Sequence, residues 1–150
     1  MQPDNPRLAR DRADVRVMTE IGIISQLSNA RLEKTGGMPA AQFAVLSHFM
    51  RRGGEQSPAQ LASAFQVGKS AMTHTLQRLE AAGWVQVRPD ATDGRRKLVS
   101  LTPAGTEAYG EALKRMRPHL ESLREAFTDQ EFAQALPFLT ALRAWLDDNR

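Results

Sequence analysis

At 150 residues, with 41% hydrophobic and 25% charged side chains, the chain can build one ordinary core with an appended element. It has no cysteine, which excludes disulfides, zinc–thiolate sites and thiol redox sensing. The net charge is only +3, no apolar run approaches the roughly 20 residues that span a bilayer, and the polar opening MQPDNPRLARDRADVR has no apolar signal core, so a cytoplasmic protein is expected.

Residues 1–14, with Pro3, Pro6 and mixed charge, are expected to be loosely ordered. Val17, Ile21, Ile24 and Leu27 then recur at helical spacing, and Gly36-Gly37 ends that helix. Pro39 suits a first helical position, opening a helix over 39–51 that turns Phe43, Leu46 and Met50 inward. Gly53-Gly54 stops it. Ser57-Pro58-Ala59-Gln60 combines a cap, a first-turn proline and a capping-box glutamine. It starts a short helix ending near Ala64, followed by a tight turn over 65–68. A helix over 69–82 buries Met72, Leu76 and Leu79, with Gly83 as its C-cap.

The pattern then switches to period two. Residues 84–88 and 97–101 alternate around the turn-rich segment 89–94, predicting a β-hairpin with a basic tip. Thr102-Pro103 opens a helix with a heptad-like stripe of Tyr109, Leu113, Met116, Leu120, Leu123 and Phe127. Thr128-Asp129-Gln130-Glu131 is a second capping box, and the last helix carries Phe132, Leu136, Leu139, Leu142 and Leu146. Pro118 and Pro137 are expected to kink these helices.

Short helix, tight turn, longer helix, basic hairpin is the order of a winged helix-turn-helix. A helix of this kind fits the DNA major groove, and a basic hairpin reaches the adjacent minor groove, whose negative potential favours arginine. The charge supports it. Residues 57–101 hold Lys69, Arg78, Arg88, Arg95, Arg96 and Lys97 against Glu80, Asp90 and Asp93, which is the whole basic excess of the chain. Opposite the buried stripe of helix 69–82 stand Lys69, Ser70, Thr73, His74, Gln77 and Arg78, none of them acidic. A merely solvated amphipathic helix would look similar; the neighbouring hairpin weighs against that reading.

Three stretches carry a resemblance: residues 39–46 (PAAQFAVL), residues 57–62 (SPAQLA) with 76–85 (LQRLEAAGWV), and above all residues 93–105 (DGRRKLVSLTPAG). Together they resemble the MarR family of bacterial transcriptional regulators, over most of the chain. The fold class expected is mainly α with a small β-hairpin wing. A winged domain over 37–101 would lie between dimerisation helices at 1–36 and 102–150. The resemblance implies a homodimer on a pseudo-palindromic double-stranded operator, usually as a repressor of a nearby operon. It implies Arg95 in the minor groove, oriented by Asp93, and Ser70, Thr73 and His74 toward the major groove. Ser57, Lys69, Gln77, Arg78 and Arg96 complete the expected DNA-binding set. Two positions depart from the pattern: many relatives have Ser or Thr at Gly68 and Arg at His74. The apolar stripe over 109–127 argues for a dimer independently, since a second copy can cover it; an intramolecular three-helix pack is the alternative.

The resemblance also implies an effector pocket for a small aromatic or phenolic ligand. Its candidate lining is Met18, Ile21, Phe43, Leu46, His48, Met50 and Tyr109, with ordinary core packing as the alternative for each. His48, His74 and His119 lack metal-ligand spacing, so no metal or cofactor is expected. No nucleophile elbow, P-loop or dinucleotide fingerprint is present, and no enzyme is expected. Two rival readings stay open: a winged-helix protein–protein adaptor lacking DNA binding, and a metal-responsive regulator of the same fold.

Overall fold

A computed structural model describes residues 12–149. The loose order expected over residues 1–14 falls, for 1–11, outside the described residues. The described elements are α1 (Ala13–Gly36), α2 (Ala40–Arg52), β1 (Glu55–Gln56), α3 (Pro58–Phe65), α4 (Lys69–Ala81), β2 (Val85–Pro89), β3 (Lys97–Leu101), α5 (Pro103–Ala126) and α6 (Asp129–Asp148). The chain divides into two compact units, with the boundary between Lys114 and Arg115, inside α5.

In the first unit one core joins Val45, Leu46 and Phe49 of α2, Leu61 of α3, Met72, Leu76 and Leu79 of α4, Val85 and Val99 of the sheet, and Ala112 of α5. The three buried positions expected for α4 are all found. The face of α2 is a correction. It buries Gln42, Val45, Leu46 and Phe49, whereas Phe43 is half-buried and Met50 is 42% exposed. At about 100° per residue, Phe43 and Met50 stand roughly a quarter-turn from the centre of that stripe. Pro39 is the residue before α2 rather than its first residue.

The sheet is antiparallel in the order β1-β3-β2, with Val85 opposite Leu101 and Pro89 opposite Lys97. The hairpin was expected to begin at Trp84 and begins one residue later. β1, pairing Glu55 with Ser100 and Gln56 with Val99, has no counterpart in the sequence reading. Two residues are too few to display a period.

In the second unit, α5 ends and α6 begins at a capping box. The Thr128 hydroxyl accepts from the Glu131 amide, and the Glu131 carboxylate accepts from the Thr128 amide at 2.7 Å. Phe127 and Phe132 flank it edge to face at 6.1 Å, a hydrophobic staple fixing the entry of the chain into α6. Both α5 and α6 continue through their internal prolines as single helices. α6 buries none of its residues, and Leu136 and Trp145 are 63% and 61% exposed. α1, which belongs to the first unit, buries only Gly36 and leaves Ile24 and Leu27 open to solvent.

Candidate nucleic-acid interface

The interface is built from the start of α3, the outer face of α4 and the β2–β3 wing. The Ser57 hydroxyl accepts from the Gln60 amide at 3.2 Å, and the Gln60 carboxamide oxygen accepts from the Ser57 amide at 2.9 Å. Pro58 occupies the first turn, as the sequence predicts. Gln66, in the left-handed region at φ 56°, reverses the chain after α3, and the Val67 amide closes the turn on the Ala62 carbonyl at 3.0 Å. Gly68 then caps α4 without a side chain. Because Met72, Leu76 and Leu79 face the core, Lys69, Ser70, Thr73, His74, Gln77 and Arg78 are all exposed. That is the face expected from the sequence.

The C-terminal end of α4 feeds the wing. Gly83, at φ 75°, follows the capping residue Ala82, and the Trp84 amide bonds the Leu79 carbonyl at 2.9 Å. Side chains then shape the wing tip. Asp90 accepts from both the amide and the hydroxyl of Thr92, and these bonds hold its carboxyl below the ordinary carboxylate range. The Asp93 carboxylate accepts from the Arg95 amide at 3.1 Å, and the Arg96 amide bonds the Asp93 carbonyl at 2.9 Å. Asp93 therefore meets Arg95 through the main chain, and the Arg95 side chain is exposed.

Helix and wing enclose a groove of about 680 Å³, lined by Ser57, Pro58, Ala59, Gln60, Lys69, Thr73, Asp93, Arg95, Arg96 and Lys97. It brings Lys69 and Thr73 of α4 together with Arg95 and Arg96 of the wing, four residues the sequence reading had linked. Lys97, present in the charge count but absent from the expected contacts, joins them. Ser57 lines the groove but is 5% exposed, its oxygen occupied by the Gln60 amide. Ser70, His74, Gln77 and Arg78 continue the exposed face of α4 beyond the groove lining.

Arg88 does not join this surface as a free charge. Its guanidinium donates to both carboxylate oxygens of Glu55, at 2.8 and 2.5 Å, reaching across β3 from β2 to β1. The pair neutralises one of the six cations of residues 57–101 and links the two outer strands of the sheet, β2 and β1. A charge count along the sequence has no access to this pairing, since the partners are 33 residues apart.

The expected effector residues do not form one cluster. Phe43 and Tyr109 stack with ring centroids 5.2 Å apart. Leu46 is fully enclosed in the core. The His48 ring N–H donates to the Gln56 carboxamide oxygen at 2.5 Å, and the ring packs against Phe65. Ile21 is half-buried, whereas Met18 and Met50 are exposed.

The sequence model of the MarR family matches residues 36–96, the stretch from the end of α1 through the wing tip. YwoH of Bacillus subtilis (strain 168), an uncharacterized HTH-type transcriptional regulator, is 33% identical over 109 residues, covering 73% of this chain and 77% of that protein. The chain belongs to the MarR family. The HTH-type transcriptional regulator PecS of Dickeya dadantii (strain 3937) is similar over nearly the full length, 28% identical across 96% of this chain and 92% of PecS. Among solved structures, a MarR mutant from E. coli in complex with operator DNA superposes with a TM-score of 0.72 at 27% identity, covering 85% of this chain and 93% of that one. BldR from Sulfolobus solfataricus, a transcriptional regulator, gives 0.70 at 25% identity, covering 94% and 99%. Among the described residues no helix is long and apolar enough to cross a membrane, and no group of three or more acidic or histidine side chains could hold a metal ion.

Proposed function

We propose that this MarR-family chain is a dimeric, cytoplasmic transcriptional regulator, not an enzyme, that represses a nearby operon by binding a pseudo-palindromic operator. α4 enters the major groove with Ser70, Thr73, His74 and Gln77 toward base edges, and Arg95 of the wing enters the minor groove. Lys69, Arg78, Arg96 and Lys97 take phosphates, which fix register and supply salt-sensitive affinity. The observation that carries this reading is the single groove lined by Lys69, Thr73, Arg95, Arg96 and Lys97, where an amphipathic helix meets a basic hairpin. The DNA in the similar MarR complex supports it. The exposed apolar side chains of α1 and α6 support a second copy as their cover. A two-fold dimer sets recognition helices about 34 Å apart, one turn of DNA.

Selection of bound fragments from genomic DNA, followed by mobility shift on the recovered site, tests the reading. Arg95→Ala should weaken binding about tenfold or more, a loss of roughly 1–3 kcal/mol, while dimer and fold persist. Unchanged affinity would remove the wing from the interface. Operator affinity is further modulated by a small aromatic effector. The Phe43–Tyr109 stack is the aromatic surface such a ligand would use. Thermal-shift titration with a panel of phenols reads this directly, and a flat response across the panel counts against it.

A further inference from the structure

His74 stands in the middle of the exposed face of α4, one turn after Ser70 and one turn before Arg78. Among the described residues nothing hydrogen-bonds or ion-pairs with its ring. We infer that His74 is a proton-linked DNA contact, so that operator affinity rises as pH falls from 8 to 6. This rests on the DNA-binding reading of α4.

The charged groups around it allow this. On α4 itself the other ionisable groups are Lys69, Arg78 and Glu80, and Glu80 lies six residues on, about a third of a turn around the helix. Of the elements packed on α4, α3 carries no ionisable side chain. α2 contributes His48, Arg51 and Arg52, with His48 bonded to Gln56. β2 contributes Arg88, already paired with Glu55. The wing side chains Asp93, Arg95, Arg96 and Lys97 line the groove on the Thr73 side. No carboxylate in this set bonds His74 and compensates its charge in the free protein. DNA supplies that compensation, because phosphates favour the imidazolium over the neutral ring. An Arg at this position would be charged at every pH; a His makes the contact conditional.

The sign and size follow from linkage. A group that binds its proton more tightly in the complex tightens the complex wherever it is protonated. Each imidazole gaining a tenfold preference for its charged form strengthens binding roughly sixfold between pH 8 and pH 6, and the two His74 rings of a dimer on its operator together roughly 36-fold. Each extra cation also releases about one more counterion, so for the two rings of the dimer the salt dependence of log affinity is steeper at pH 6 by up to about 1.8.

The test measures operator dissociation constants for the full chain at pH 6, 7 and 8 and two salt concentrations, with wild type, His74→Gln and His74→Arg. The expected result is a gain of about tenfold or more on acidification for wild type only. His74→Gln should bind weakly and His74→Arg tightly, both without that pH response. His48 and His119 remain in both variants, so loss of the response assigns it to position 74. A His74→Gln variant that keeps the wild-type pH profile overturns the inference. So does flat wild-type binding to DNA that is bound in a salt-sensitive way, which leaves the regulator reading intact. Failure to recover any bound DNA at either pH overturns both.

Discussion

A Cβ placed on Gly105 would lie 2.1 Å from the carbonyl oxygen of Trp84. The first turn of α5 therefore rests directly on the backbone that leads from α4 into the wing. Thr102 fastens the same junction: its amide bonds the Trp84 carbonyl at 3.1 Å, and its hydroxyl donates to the Gly83 carbonyl at 2.6 Å and accepts from the Gly105 amide at 3.0 Å. This accounts physically for the Leu-Thr-Pro-Ala-Gly run at 101–105. Gly105→Ala must push α5 off this seat: Leu101 Cδ1, at 2.7 Å, can rotate away, but the Trp84 carbonyl oxygen and carbon, at 2.1 and 2.9 Å, are backbone and cannot. The expected cost is about 1–3 kcal/mol, read as a lower urea midpoint at unchanged slope. Gly110→Ala, with nothing within 4 Å of the added carbon, is the control and should not destabilise.

Gly68 is the opposite case. Its φ of −65° and ψ of 157° suit any residue at a helix start, and an added Cβ meets nothing within 4 Å. The helix it begins lacks a side-chain cap. Gly68→Ser should therefore add a cap and lower the conformational entropy of the unfolded chain, stabilising by a few tenths to about 1 kcal/mol. Differential scanning calorimetry should register a rise in Tm of roughly 2 °C. A fall would mean that the free amides at the start of α4 already have a better partner.

The Arg88–Glu55 pair predicts a modest coupling. Both side chains are more than a third open to solvent or close to it, at 42% and 35%, so screening limits the pair to about 0.2–1 kcal/mol despite its bidentate geometry. A double-mutant cycle with Arg88→Ala and Glu55→Ala should give a coupling in that range, shrinking in high salt. If Glu55→Ala also raises DNA affinity, Arg88 has been released to the basic surface.

What the sequence disclosed and what it withheld divide by range. Both capping boxes, the stripe of α4 and the turn residues of the wing are set by side chains within four positions of one another, and each was legible. β1 was not, because Glu55 and Gln56 become a strand only by pairing with Ser100 and Val99. The sequence misleads on the phase of α2 because Phe43, Leu46 and Met50 make an all-apolar stripe at helical spacing, whereas the stripe that meets the core, Gln42, Val45, Leu46 and Phe49, includes a polar residue. Among candidate contacts, the groove unites residues near 58, 70 and 95 in the sequence. Charge sign identified the cations within it, but not that Arg88 is spent on Glu55.

The two capping boxes also provide a pH experiment within one chain. At α3 the box is neutral, closed by Gln60; at α6 it is closed by Glu131, whose carboxylate accepts from the Thr128 amide and, at 2.8 Å, from its hydroxyl. The amide bond first and the hydroxyl bond second hold the Glu131 carboxyl below its ordinary value. A depressed folded-state pKa means that the stabilisation is fully present above the ordinary glutamate range, about 4.3, and is lost as pH falls through the lower folded value. Acidification from pH 5 to pH 2 should therefore loosen the first turn of α6. Above pH 5 that turn should be indifferent to pH. Amide chemical shifts of Thr128 and Glu131 should move along one acid titration while those of Ser57 and Gln60 do not follow it. Glu131→Gln converts the second box to the chemistry of the first and should abolish the titration at Thr128 while keeping the helix start. If Thr128 still titrates in that variant, a different carboxylate governs the turn, and Asp129, next to the cap, is the group to replace.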